Sequence, residues 1–118
     1  MALYPCSADG ARYRGPSQAM YPAVVHGTDS VRAHLRLCPS HFQEKLDYCR
    51  KYLEEVVYDS PAPSQEQLPV CVCCGSDVAD NRLVFVTAYP SGQQETQFYG
   101  HVCLDCVPKL SLQLLIRY

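Results

Sequence analysis

Nothing in this sequence is built to enter a membrane. No apolar run approaches the roughly 18 to 20 residues needed to span a bilayer. The opening MALYPCSADG has no basic segment followed by an apolar core, so it does not read as a secretory leader. A surplus of charge is also missing: ten Lys and Arg against twelve Asp and Glu leave a net charge of −2 and a pI near 6.0, which argues against strong non-specific binding to polyanions. Catalytic constellations are absent as well. There is no Ser-His-Asp set, no phosphate-binding glycine loop and no paired acidic motif. A His-Asn-His nuclease needs several metal-binding and base residues together, but the only Asn is Asn81, and His101 has no second His in its half of the chain. The expectation is a protein that is not an enzyme.

What is present is cysteine: eight in 118 residues, within a composition that is 47% apolar and therefore able to build a core. In a reducing, cytoplasmic setting, which the lack of a leader implies, paired cysteines are more often metal ligands than disulfides. The basic residues are unevenly placed. Residues 1–58 carry seven (Arg12, Arg14, Arg32, Arg36, Lys45, Arg50, Lys51) against six acids, and residues 59–118 carry three against six, so only the first half offers a basic surface.

Between the halves, DSPAPSQEQLP (59–69) lacks apolar periodicity and reads as a short, semi-extended linker. Across it the sequence repeats with a shift of 65: Leu3, Cys6, Gly10, Ala23, Gly27 and Cys38 map onto Leu68, Cys71, Gly75, Ala88, Gly92 and Cys103 without a gap. The same shift carries Asp9 onto Cys74 and His41 onto Cys106, exchanges between residue types that both bind zinc.

Each half then reads as a ligand pair with a following glycine, a β-hairpin, and a second ligand pair that opens a helix. RLVFVTAY (82–89) and ETQFYGHV (95–102), joined by the turn former PSGQQ, predict the second hairpin. MYPAVV and SVRAHLRL around HGTD predict the first. A helix of about four turns is expected from Pro39, with Ser40 and Gln43 as a capping box and Phe42, Leu46, Cys49, Leu53 and Val56 on its apolar face. The last helix is expected from Val107 or Pro108 to the C-terminus.

Two Cys-x-x-Cys pairs from separate segments make a tetrahedral zinc site without strain, so Cys71, Cys74, Cys103 and Cys106 are one ligand set. The repeat offers Cys6, Asp9, Cys38 and His41 as the other. His26 and His34 are alternatives for its fourth position, and Asp9 has a second possible use in capping the turn before Gly10. Cys73 is left as a spare thiol whose N–H can bond a neighbouring thiolate. With all positions filled by protein groups, both ions would be structural, and such small units would draw much of their folding free energy from the metal.

The arrangement C71-x-x-C74-G75 with C103-x-x-C106, and C6-x-x-D9-G10 with C38-x-x-H41, resembles the treble-clef zinc finger, twice over. The short, cysteine-rich format also looks like small zinc-finger proteins of bacteria and their phages. The resemblance implies a small, zinc-stabilised α+β fold of two tandem units, residues 1–58 and 70–118, holding two Zn2+ ions. It implies no particular activity, since treble clefs serve in nucleic-acid binders, protein adaptors and nucleases.

Two uses are expected ahead of catalysis: a protein-interaction or regulatory module first, with nucleic-acid binding as the alternative. The apolar last helix, with Leu112, Leu115 and Ile116, together with Tyr48, Tyr52, Tyr58, Tyr89 and Tyr118, points to a protein partner or a homodimer, unless that helix packs against the first. Alternation along SVRAHLRL sets Arg32, His34 and Arg36 on one strand face, with Arg12 and Arg14 near them, and these point to DNA or RNA. The bland alternative for the basic residues is a solvated strand face paired with Asp29 or Glu44.

Overall fold

The computed structural model describes residues 3–15, 18–57, 70–77 and 82–117. The expected linker, 59–69, lies outside them, as do Tyr58, Asn81 and Tyr118. In chain order the elements are β1 (Tyr4–Pro5), β2 (Arg12–Tyr13), β3 (Gln18–His26), β4 (Asp29–Arg32), β5 (Leu35–Leu37), α1 (Pro39–Tyr52), β6 (Glu54–Val57), β7 (Arg82–Tyr89), β8 (Thr96–Val102) and α2 (Val107–Gln113).

Both hairpins form where the alternation places them: β7 and β8 pair antiparallel, and β3 pairs with β4 and β5. The expected single strand SVRAHLRL is broken into β4 and β5, and Pro22 is the cause. Lacking an N–H, Pro22 leaves one ladder bond unmade opposite Ala33. Its carbonyl still accepts the Ala33 N–H at 2.9 Å, and Ala23↔Arg32 and Met20↔Leu35 lie in one continuous register on either side of the break.

The two hairpins then join. β3 pairs antiparallel with β7 from Ala19↔Tyr89 to Val25↔Leu83, producing one sheet in the order β4-β3-β7-β8-β6, with β5 also on β3. Under the sequence repeat Tyr21 corresponds to Val86 and Pro22 to Thr87, so the pairs Tyr21↔Thr87 and Pro22↔Val86 are images of each other. The halves are thus related by a pseudo-two-fold axis through the middle of the sheet, which covers with backbone bonds an edge that each hairpin alone would leave open.

One face of this sheet is sealed. Met20, Pro22, Val24, Val84, Val86, Ala88, Phe98 and Val102 point inward and are buried, and they pack with Phe42, Leu46 and Cys49 of α1 and Val107 and Leu110 of α2 in a single core. At about 25 cal/mol per Å2 of apolar surface removed from water, this shared core is what holds the halves as one body.

Three helix expectations are corrected. α1 stops at Tyr52, and Val56 belongs to β6, which crosses to pair with β8 through Glu54↔Tyr99 and Glu55↔Phe98. The chain leaves the helix at Leu53, whose extended backbone (φ −122°, ψ 149°) starts the strand while its side chain stays in the core. The Ser40–Gln43 capping box does not form: the N-cap is Cys38, and Gln43 Nε2 donates instead to Asp47 Oδ1 at 2.8 Å. α2 ends at Gln113, not at the C-terminus, because Leu115 takes a left-handed φ of 57° and the Ile116 N–H turns back to the Ser111 carbonyl at 2.7 Å.

Gly100 marks a tight crossing. A Cβ there would stand 2.7 Å from both Leu53 Cδ2 and Val72 Cγ1, where the chain leaving α1 and the turn at Cys71 close on β8. Gly100→Ala is expected to destabilise the protein by about 1–3 kcal/mol through overpacking, read as a lower urea midpoint with unchanged slope.

Candidate metal centres

The ligand-bearing turns repeat bond for bond. The Gly10 N–H donates to the Cys6 carbonyl at 2.7 Å and the Gly75 N–H to the Cys71 carbonyl at 2.9 Å; the Cys6 N–H donates to Ala11 O at 2.9 Å and the Cys71 N–H to Ser76 O at 2.8 Å. The next amide ties each turn to the last strand of its hairpin, Ser7 to Arg36 O and Val72 to His101 O, both at 2.9 Å. Gly10 and Gly75 each have φ +76°, a conformation that disfavours side chains with a Cβ, and it lets the chain reverse after the first ligand pair. At the other end, the Phe42 N–H donates to Cys38 O and the Val107 N–H to Cys103 O, so each helix starts on a ligand.

In the second half these turns bring Cys71, Cys74, Cys103 and Cys106 together, with all four sulfurs within 4.8 Å of one another. Cys74 Sγ lies 3.7 Å from Cys103 Sγ. Such crowding divides the thiols by acidity. Burial would raise Cys71, but hydrogen bonds from the backbone of Cys103, Cys74 and Cys73 outweigh it and bring it down to about 6. Cys74 is lowered by the Ser76 hydroxyl, 3.3 Å from its sulfur, and by the Ser76 backbone. Cys106 is raised by burial and by hydrogen bonding with Cys103, Cys71 and Cys74. Cys103 is also raised: the Cys106 side chain acts to lower it, but burial with Cys71 and Cys74 prevails. Four sulfurs that cannot all ionise side by side are a donor set that a dication would complete, by replacing the shared protons. The soft sulfur ligands are consistent with zinc.

The spare Cys73 is not one of the four grouped residues, but its side chain bonds with those of Cys106 and Cys71, and its N–H bonds Cys71. Its own pKa is raised by burial and by the charge on Cys71. Cys49, the eighth cysteine, is buried in α1 and pushed up to about 12 by that burial, an inert core thiol.

In the first half the structure gathers Cys6, Cys38 and His41. His41 Nδ1 lies 3.0 Å from Cys38 Sγ and 3.4 Å from Cys6 Sγ, and the Cys38 N–H reaches Cys6 Sγ at 3.4 Å, as the Cys103 backbone reaches Cys71. This set too could hold a metal ion. Asp9 stands beside it. Its Oδ1 accepts the Ala11 N–H at 2.9 Å, which is the turn-capping use, and its Oδ2 is 3.7 Å from His41 Nδ1. His34 is not brought to the cluster: it stacks on Tyr21 on the other side of the sheet. His26 is exposed at the end of β3 and is not gathered with the ligands either. His41→Ala is expected to lose the first-site ion. Asp9→Ala is expected to keep it with affinity reduced roughly 10- to 100-fold, the range for a group that tunes a ligand from outside, as measured by competition with a chromophoric chelator.

Away from the clusters, Arg32, His34 and Arg36 are all exposed on the outward face of β4 and β5. Arg36 also lies over the Tyr4 ring, 5.2 Å from its centroid. Arg12 and Arg14 are exposed beside the first turn with Tyr13 half-buried between them. The apolar last helix divides. Ile116 is buried in the core, Leu115 is half-buried and Leu112 is 74% exposed. Tyr48 and Tyr52 are half-buried and tilted together at 4.8 Å, and Tyr89 is exposed. What the linear pattern did not reveal is that Tyr21, Phe85, Tyr89 and Tyr99 share the sheet face that carries the arginines. The signal was alternation within each strand, but joining the two sets required the β3–β7 register.

Comparison with protein-family models, curated proteins and solved structures finds no significant match to this chain. No helix among the described residues is long and apolar enough to cross a membrane.

Proposed function

We propose that this chain is a non-catalytic protein of two tandem treble-clef units, each stabilised by a zinc ion, that binds nucleic acid across the sheet face turned away from its helices. The observation that carries the reading is the outward row of Arg32, His34 and Arg36, exposed along the side of an open face rich in aromatic rings. Arginine suits phosphate because its planar fork donates two parallel hydrogen bonds. The metals hold the turns and helices on the opposite face, so they would act by shaping the sheet and would not contact the ligand. The structural role of the ions is supported by the four-sulfur set, which leaves no ligand position for water, and by the Asp9 carboxylate, which flanks His41 of the three-residue set.

The test is a salt titration. Labelled DNA and RNA should bind at low salt and weaken linearly on a logarithmic plot as salt rises, and Arg32→Ala should lower both affinity and slope. A protein that ignores both polymers at low salt is not a nucleic-acid binder.

A second reading, a protein partner or a second copy at the last helix, rests on Leu112, the most exposed large apolar side chain of the described residues. It is weakened by Ile116 and Leu114, which the core already uses. Sedimentation that shows a monomer at high concentration removes its homodimer form.

A further inference from the structure

Resting on the nucleic-acid reading above, we infer that the outward sheet face is a stacking platform for single-stranded nucleic acid, with bases on Tyr21 and Tyr89 and the backbone along Arg32 and Arg36. A sheet face turned to water usually carries polar side chains at its outward positions. Here Tyr21 of β3 and Tyr89 of β7 stand outward, each 42% exposed, with half-buried Phe85 on β7 and Tyr99 on β8. One face of Tyr21 is already covered by His34, so a base would use the side of the ring that lines the trough. Tyr21 lies parallel to His34, with centroids 4.6 Å apart and planes 7° apart, while Tyr89 meets Tyr21 edge-on at 5.5 Å and 89°.

Between these rings the side chains are short. Ala23 and Thr87 floor a trough of about 560 Å3, walled by Tyr21, Phe85 and Tyr89 and open to Arg32. That volume is within the range of about 300–1,000 Å3 typical of ligand sites. Every base has a π-face, so such a trough takes bases with little regard to sequence.

Charge sets the direction of the track. Arg32, His34 and Arg36 lie on the β4 and β5 side of the face, and Glu54, next to Tyr99, lies on the β6 side. A polyanion is therefore drawn along β3 and its arginine-bearing neighbours. A duplex keeps its bases stacked inside and would reach the arginines alone, leaving Tyr21 and Tyr89 without a part to play. A single strand uses both the rings and the arginines.

The experiment is fluorescence anisotropy of the full, metal-loaded chain with oligo-dT, oligo-U and a duplex of equal length, at low and moderate salt. Single strands of either sugar should bind at least about tenfold more tightly than the duplex. Tyr21→Ala and Tyr89→Ala should each weaken single-strand binding by roughly fivefold or more, and Tyr21→Phe, which keeps the ring, should bind as the natural protein does. Metal content, measured on the same samples, should be unchanged because both rings lie on the sheet face away from the ligand clusters. If the duplex binds as tightly as the single strands, or if Tyr21→Ala binds unchanged, the stacking platform is wrong while the nucleic-acid reading stands. If no strand of any kind binds at low salt, the nucleic-acid reading falls and the inference with it, leaving the face to a protein partner.

Discussion

Cys103→Ser is expected to release the second-half ion and to unfold more than the half that holds it. The bound ion count, read by native mass spectrometry, should fall by one. α2 is only seven residues long, with Cys106 as its N-cap. Helices this short do not persist in water without tertiary support. Structural zinc contributes on the order of 10–16 kcal/mol in finger peptides, comparable to the net stability of about 5–15 kcal/mol of a whole domain. The loss should spread because β7 is paired to β3, and β8 to β6, so disorder in the second hairpin uncovers the core of the first. A single cooperative transition should therefore give way to a broad one, with loss of near-ultraviolet dichroism. Retention of both ions or of a sharp transition would contradict this account.

Acid should act on the same site. The Cys71 thiolate is favoured over the ordinary thiol value of 9.0 down to about 6. Without metal, the stability this shift carries is complete above the ordinary value and is lost as pH falls through about 6. A bound dication would hold the thiolate to lower pH still.

Phe98→Ala should be the most damaging truncation in the core, at about 3–5 kcal/mol. Phe98 is fully buried on β8, opposite Val86 of β7 on one side and Glu55 of β6 on the other, so its ring fills space beneath strands from both halves. The cavity cannot close easily, because its walls belong to a hydrogen-bonded sheet on one side and to two helices packed in the same core on the other. Phe85→Ala is the control. Its ring is of the same type but points to the outward face and is only half-buried, so its loss should cost about 1 kcal/mol or less. Urea unfolding of the two variants tests the assignment of faces: equal losses would mean that the outward face is not open.

Much of this was legible in the chain because it depends on short-range rules. Ligand pairs three apart, the glycine after the first pair of each half, and the shift of 65 led to the same turns that the backbone makes. The spacing of Cys38 and His41 sets both on one turn of a helix, and they lie within reach of each other. The end of α1 was not legible, because Leu53 and Val56 continue a helical spacing equally well. What stops the helix is the free edge of β8, which takes Glu54–Val57 as a strand. Asp9 was ambiguous for a related reason: a carboxylate can cap a turn or approach a metal, and here one oxygen does the first while the other lies near His41.

The sequence by itself pointed to Cys71, Cys74, Cys103 and Cys106 as one cluster, to Cys6, Cys38 and His41 as the other, and to the two hairpins and their inward residues, since i,i+3 spacing and two-residue alternation are properties of the local backbone. Only the tertiary structure decided that β3 and β7 fuse the halves into one sheet, that β6 crosses to the far edge, and that Tyr21 and Tyr89 stand beside Arg32 and Arg36. Edge pairing is made by backbone N–H and C=O groups that are the same in every residue. Its partner and register are therefore chosen by which apolar faces can be buried together, and that choice exists only once the whole chain has packed.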